Sequence, residues 1–419
     1  MNDKVILDTP AEDDEKFFTK PLLIIFLTIF IDLVGFGIVI PLLPFYAKEY
    51  HATPLDFGLL MSSYSLMQFV FSPIWGSLSD RYGRRPILFL TIAGAGIGNL
   101  IVGFAGGLWM LYAGRILAGV MAGNLSTAQA YIADVTSRKN RAKGMGLFGM
   151  AFGLGFILGP AIAGVLSKFG IYVPFLFAAG LSFANAIMLY FILPETRHRE
   201  ARENSAQRAG RIAELLETLK DPRFSTITIE YFMLVTSFSI MTTAFAFFTM
   251  VNFGFDAEKT GYLLAYVGLL AAVSQGVIFG RLARRFGEAS LAAVGSFMLA
   301  VSLIAVPFIS STTGGIPALL LGTALFSIGN SLASPALTSL ASKTADEMNQ
   351  GKTLGILQSA ASLARVFGPL LCGVLLNNAM GEVDAGTLMR TFWAAAGIMG
   401  LAFVIGIYYL RTHREEIAV

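Results

Sequence analysis

Apolar residues along this chain come in long unbroken runs, without the two-residue alternation of a half-buried strand or the three-to-four spacing of a helix with one wet face. A bilayer core about 30 Å thick takes about 20 helical residues to cross. Twelve runs reach that size, at 21–46, 55–79, 86–107, 109–133, 144–167, 171–193, 226–252, 260–280, 289–310, 316–341, 353–378 and 388–410. The 44 glycines fit helices packed through small side chains, and the short alternating segments of an outer-membrane barrel are not found. The predicted fold is all-α and integral to a membrane.

The longest polar interruption, Glu195 to Phe224, divides the runs six and six. It predicts a tail at 1–20, a six-helix bundle at 21–194, a linker at 195–223, a second six-helix bundle at 224–411 and a tail at 412–419. Within the linker, "RIAELLETLK" has helical spacing and suits a helix on the membrane surface as well as a solvated helix on the bundle. The halves echo each other: "GSLSDRYGRRPIL" returns as "GRLARRFGEASL", and "LGPAIAGVL" as "FGPLLCGVL", at nearly equal offsets. Parallel repeats predict two pseudo-symmetric bundles with a substrate site between them near the bilayer midplane.

Composition agrees, with 55% hydrophobic and 14% charged residues against about 25% charged in soluble domains. Where the charge sits says more than the net +3. One set of loops holds Arg81, Arg84, Arg85, Arg138, Lys139, Arg141, Lys143, the basic linker, Arg281, Arg284, Arg285, Lys343 and Lys352; the other holds Lys48, Lys168, Lys259 and Arg390. Basic residues stay on the cytoplasmic side, so both termini are expected there, in a multi-pass protein of a bacterial inner membrane, the pattern being compatible with a eukaryotic membrane as well. The acidic start "MNDKVILDTPAEDDEKFFTK" lacks a signal peptide's basic region and apolar core and reads as an exposed tail. Nucleic acid is not an expected partner; the lipid bilayer and a small molecule are.

A single cysteine, Cys372, excludes a disulfide within the chain, and His51, His198 and His413 are scattered, so neither a metal site nor a cofactor is expected. The glycine clusters "GAGIGN" and "GLGFILG" lie in apolar runs without a preceding strand, which fits helix packing and not dinucleotide binding. No phosphate-binding Gly-x-x-x-x-Gly-Lys-Ser/Thr loop is present. Any uphill transport would draw on an ion gradient.

Asp32 stands inside the apolar stretch "IFIDLVGFGIVIPLLPFY". A charge at that depth is costly and calls for a cavity or a partner. Burial disfavours a carboxylate's charged form and a nearby cation favours it; a group poised between the two can exchange a proton, although a permanent hydrogen bond to another helix is the plainer alternative. Asp32 lies ~16 Å into the first run, and Arg115 ~9 Å below the outer end of the fourth, ~20 Å above the inner face. Their side chains can meet, as a coupling pair or as a fixed ion pair.

Helical spacing puts Ala122, Ser126 and Gln129 beneath Arg115 and turns Asn124 away, making Ser126 and Gln129 candidate substrate contacts. Phe238, Met241, Phe245 and Phe248 form a stripe in the seventh run, either an aromatic surface for an apolar or cationic molecule or ordinary packing. Asn330 and Ser334 are further candidates in the tenth run, and Arg365 is a buried-looking cation without an evident partner. Gly159-Pro160 and Gly368-Pro369 place kinks at matching positions in the two halves.

Three patterns carry a resemblance. Gly76, Leu78, Asp80, Arg81, Gly83, Arg84 and Arg85 follow the second run; Arg115 is followed by Gly119 and Gly123; Gly155, Gly159, Pro160 and Gly164 punctuate the fifth, with Ala163 where a second glycine is usual. With "YAGRILAG" and "YIADVT", the chain resembles the major facilitator superfamily, its twelve-span drug:proton antiporters, and their tetracycline-exporter-like branch. The resemblance implies helices one, four, seven and ten around a central cavity, Arg115 and Asp32 coupling protons to export of an amphipathic drug or drug-like molecule, and a monomer that alternates access. It implies that Gly76, Asp80, Arg81, Gly83, Arg84, Arg85 and Asp134 form a conformational latch, Asp80 lying at the positive N-terminal end of helix eleven. Arg284 occupies the place of Asp80 in the second half, which predicts an asymmetric latch. The third and ninth runs lack the carboxylates that tetracycline exporters carry there, so a multidrug or small-molecule exporter fits as well. A proton symporter or facilitator of a metabolite on the same fold is the alternative, and a non-transporting receptor a more remote one. No catalytic constellation points to an enzyme.

Overall fold

A computed structural model describes residues 19–136, 141–196, 220–344, 350–378 and 380–412. The linker helix expected in "RIAELLETLK", and Arg138 and Lys139, lie outside them. The chain is built of helices joined by short turns: α1 Lys20–Glu49, α2 Pro54–Tyr82, α3 Arg84–Gly103, α4 Leu108–Met121, α5 Asn124–Val135, α6 Arg141–Ser167, α7 Val173–Ile192, α8 Pro222–Phe253, α9 Ala257–Val273, α10 Gly280–Phe286, α11 Glu288–Ala305, α12 Gly315–Lys343, α13 Gln350–Leu376 and α14 Ala385–Thr412. A π-helical turn, Ser274–Phe279, joins α9 to α10 in one rod. Among the described residues, eleven helices are long and apolar enough to cross a membrane, with α4 and α5 taken as one; α6 contributes a shorter apolar stretch, Gly153–Ser167.

The helices outrun the apolar runs because capping chemistry lies in their polar flanks. The seventh run starts at 226, but α8 begins at Pro222, whose missing N–H suits a first helical position, after Asp221 accepts the Arg223 N–H. In α2, Thr53 and Asp56 make a reciprocal capping box. At the other end of α8, Gly254 closes the helix in the left-handed conformation.

The helix ends near Arg81, Arg84, Arg85, Arg281, Arg284, Arg285 and Lys343 define a basic end; Lys48, Lys168 and Lys259 lie at the far end. At the far end the halves are sealed by backbone meeting backbone. A Cβ on Gly58 of α2 would stand 2.6 Å from the Pro369 carbonyl oxygen and 2.8 Å from the Gly373 Cα of α13. The same contact recurs where Gly261 of α9 meets α6, 2.7 Å from the Pro160 carbonyl oxygen and 2.9 Å from the Gly164 Cα. Around these seams the Ser62 hydroxyl donates to the Val366 carbonyl at 2.8 Å, Phe57 packs edge-on to Phe247 at 5.3 Å, and Lys168 pairs with Glu258 at 2.9 Å. The hydrogen bond and charge of Glu258 hold the Lys168 ammonium above its ordinary pKa. A depression of about 460 Å³ lined by Phe45, Lys48, Met250 and Asp256 marks the far surface.

Toward the basic end the same helices part. A Cβ on Gly153, Gly276, Gly280 or Gly355 would meet nothing within 4 Å, and on Gly76 only the Ser126 hydroxyl at 3.9 Å. The seam is a wedge, shut at the far end.

Candidate substrate and proton site

The fourth run bends at its middle. The Val120 carbonyl, which would accept the Asn124 N–H in a continuous helix, accepts the Trp75 indole N–H of α2 at 2.6 Å instead. The chain turns at Ala122 and Gly123, and α5 starts afresh at Asn124. This corrects the expectation from helical spacing: Asn124 does not point away from Arg115 but stands on the same wall.

That wall encloses a small buried cavity of about 40 Å³ lined by Asp32, Phe36, Tyr64, Asn99, Arg115 and Asn124, among others. Polar groups and a volume above the ~10–15 Å³ one water needs make it a place for water. At this size it does not hold a drug-sized ligand, whose pockets run to about 300 Å³ or more. Arg115 is buried, its guanidinium 4.1 Å from the centre of the Tyr64 ring, a contact the ring's quadrupole favours. Its Nε has no hydrogen-bond partner among the described residues. Asp32 is partly buried, with the Asn124 side chain as its polar neighbour. Asp32 and Arg115 thus share one cavity, but among the described residues no ion pair joins them; Tyr64 takes the guanidinium and Asn124 the carboxylate. With the guanidinium keeping its charge and no ion pair locking the two together, the carboxylate at this shared cavity is the group that can gain or lose a proton.

The loop after α2 builds a second cluster. Arg84, itself buried, bonds Asp80 at 2.9 Å, Asp134 at 3.1 Å and the Ser79 hydroxyl at 2.6 Å. Beyond it, the Glu195 carboxylate accepts the backbone N–H groups of Arg84 at 2.9 Å and Arg85 at 3.1 Å, capping α3. Gly83 sits at φ 103°, and a Cβ there would stand 2.5 Å from that carboxylate, so only glycine admits the cap. Arg81 lies over the Tyr82 ring and Arg85 over the Tyr190 ring. Glu195, placed by the sequence in the linker, is thus tied to the N-terminus of α3. Replacing Glu195 with Ala is expected to cost about 1–2 kcal/mol, the range for a lost cap, with Glu195→Gln intermediate; the thermal midpoint of the purified protein measures both.

The antiporter-like glycines lie against the Asp32 helix: a Cβ on Gly155 would meet Leu33, and one on Gly159 would come within 2.6 Å of the Gly37 Cα. They press α6 onto α1 one residue from Asp32.

The sequence profile describing the Major Facilitator Superfamily matches residues 25–346 and 276–418. The chain belongs to this superfamily. It is 33% identical over 395 residues to "Tetracycline resistance protein, class B" of Escherichia coli, covering 92% of each chain. It is 31% identical to "Multidrug resistance protein 2" of Bacillus subtilis, covering 85% of this chain and 89% of that one. Among solved structures, a human organic anion transporter matches at 24% identity and a TM-score of 0.69, over 92% of this chain and 99% of that one. A bacterial homologue of the human lysosomal transporter Spinster matches at 15% identity and a TM-score of 0.78, over 94% and 97%. Both share the fold. The chain is thus a multi-pass membrane protein of a transporter superfamily, with drug-resistance proteins among its relatives.

Within this facilitator fold, the remaining candidate contacts scatter. Met241 and Phe245 are 2% and 0% exposed, Phe245 packing on Phe248 and Phe248 on Phe392; they fill the core of the second half and offer no surface to a ligand, which corrects that part of the stripe. Phe238 is partly buried and stacks on Phe326 at 5.9 Å. Ser126 bonds the Gly123 and Ser72 carbonyls, joining α5 to α2, and Gln129 is partly buried. Asn330 and Ser334 are partly buried on α12; neither they nor Ser126 and Gln129 line the Asp32 cavity. Asn330 nevertheless holds the place of Arg115 in the second half. Gly98 meets the Gly114 carbonyl as Gly295 meets that of Gly329, one residue before each.

Sequence reading missed Tyr64, Asn99 and Glu230. Tyr64 and Asn99 gave no local signal, since single polar residues are common in such helices. Glu230 gave the same signal as Asp32, a charge within an apolar run. It is 3% exposed between α8, α11 and α14, a Cβ on Gly406 would stand 2.9 Å from its Oε1, and that oxygen has no hydrogen-bond partner among the described residues.

Proposed function

We propose that this protein is a proton-coupled antiporter that exports an amphipathic drug or drug-like molecule by alternating access. The observation that carries the reading is Asp32 and Arg115 on the walls of one buried polar cavity, unpaired with each other, in a molecule whose halves part toward the basic end. In the proposed architecture twelve spans form two pseudo-symmetric six-helix bundles, for which the duplicated glycine seams speak. The basic end is cytoplasmic by the distribution of Lys and Arg, so the conformation described is open inward, in a bacterial inner membrane.

In the cycle, Asp32 takes a proton when the site faces outward and releases it inward as substrate binds; Arg115, free of a fixed ion pair, sets how readily the proton leaves. The Asp80, Arg84 and Asp134 cluster is the latch that holds the cytoplasmic side when the far seam opens. Ser126, Gln129, Phe238, Asn330 and Ser334 come to face the substrate only as the halves rock. The tetracycline and multidrug resistance proteins among the relatives support drug export, while the carboxylate-free third and ninth spans leave the drug class open.

The test uses purified protein acting as a monomer in proteoliposomes loaded with a pH-sensitive dye, under an imposed proton gradient. Adding transported drugs is expected to move protons opposite to substrate. Substrate flux with no proton movement would replace this reading with a facilitator, and binding without flux would replace it with a receptor.

A further inference from the structure

The second half contributes a cation to the middle of the molecule that the proton mechanism leaves unused. Arg365 lies on α13 next to Val366, whose carbonyl accepts the Ser62 hydroxyl of α2 across the seam at 2.8 Å. Two residues on from Ser62, Tyr64 lines the Asp32 cavity and its ring lies 4.1 Å from the Arg115 guanidinium, so the seam at Arg365 adjoins the proton site. Among the described residues the guanidinium makes one long hydrogen bond, Nη2 to the Ser362 hydroxyl at 3.4 Å, and its Nε has none. Among the described residues it forms no ion pair.

Guanidinium groups keep their charge and present donors in a planar fork that matches an oxyanion. Arg365 is partly buried, and withdrawing a guanidinium from water without a partner is expensive. Asp32 balances Arg115 in charge, and the Glu230 carboxylate packs against Gly406 of α14, which leaves Arg365 at the seam without a carboxylate partner among the described residues. The wall at Tyr64 is aromatic: Phe36 packs on Tyr64 at 5.6 Å and on Phe156 at 6.1 Å. We propose that Arg365 anchors an oxyanion carried by the transported molecule, and that the substrate is a zwitterionic aromatic amphiphile. The second part rests on the antiport reading above. An oxyanion bound near Asp32 would by itself hold the proton there; substrate can displace that proton only if it also brings a cation to the carboxylate.

The experiment measures binding to the full-length protein in nanodiscs of three matched probes: 4-phenylphenylalanine, a zwitterion; its methyl ester, a cation; and its N-acetyl derivative, an anion. The zwitterion is expected to bind the wild type about tenfold tighter than the ester or more, the usual worth of a charged hydrogen bond. Arg365→Gln should erase that preference while leaving ester binding unchanged, which shows the variant is folded, and Arg365→Lys should restore part of it. Equal or tighter binding of the ester to the wild type, binding of none of the three, or a preference that survives in Arg365→Gln overturns the assignment. In proteoliposomes, an N-acetyl probe that travels with protons, and loses its binding in Arg365→Gln, would uphold the oxyanion anchor and overturn both the zwitterion and the antiport reading.

Discussion

Asp32→Asn is expected to abolish proton-driven accumulation while leaving substrate binding intact. One pH unit is worth about 1.4 kcal/mol per proton, so a transporter exchanging one proton per substrate sustains about tenfold accumulation across it. The variant should sustain none, relaxing to equal concentrations on both sides. Asn fits the space of Asp and can still hydrogen-bond Asn124, so the cavity of about 40 Å³ keeps its shape; only the exchangeable proton is gone. Radiolabelled substrate uptake into vesicles with and without a gradient measures this. Undiminished gradient-dependent accumulation by the variant would remove Asp32 from the coupling mechanism and make it a structural hydrogen-bond partner.

Gly58→Val should hold the far end open. Its Cβ would collide with the Pro369 carbonyl and the Gly373 Cα, backbone atoms that cannot rotate aside. Overpacking of this kind costs about 1–3 kcal/mol, and here the cost falls only on the conformation in which the seam is shut. The balance between shut and open should therefore shift about 5- to 150-fold toward open. Spin labels at Phe169 and Glu382, on opposite halves at the far end, in a Cys372→Ala background, report the distance. A distribution unchanged from the parent would mean that the seam yields elsewhere and that Gly58 is not the contact that closes it.

Much of this molecule could be read from the chain because its determinants are local. An apolar run declares a membrane helix wherever it sits, a lone carboxylate within one declares a cavity or partner, and Asp80 and Arg84 stand only four residues apart, across the break at Gly83. Asp134 was placed with them by the family resemblance, and it bonds Arg84 at 3.1 Å. What could not be read depends on a neighbour far away in sequence. The bend at Ala122 and Gly123 exists because Trp75 takes the Val120 carbonyl, and without that bend Asn124 was placed on the wrong face. Glu195 reads as the start of a polar linker until the fold brings it to the N-terminus of α3. Phe245 follows the same helical spacing as Phe238, yet Phe245 is enclosed beside Phe248, which packs on Phe392 of α14, while Phe238 stays partly buried against Phe326 of α12.

The far-end seal has a further consequence because it is built twice. The Gly58–Gly373 and Gly261–Gly164 contacts lie on opposite flanks of the molecule, and each closes without leaving room for a methyl group. Spoiling one leaves the other as a pivot. A chain altered on a single flank would then swing like a door and gape toward lipid on that side, admitting membrane-dissolved molecules sideways and leaking them instead of pumping them. Matched substitutions on both flanks would restore a symmetric opening toward water, so the double variant should leak less than either single one.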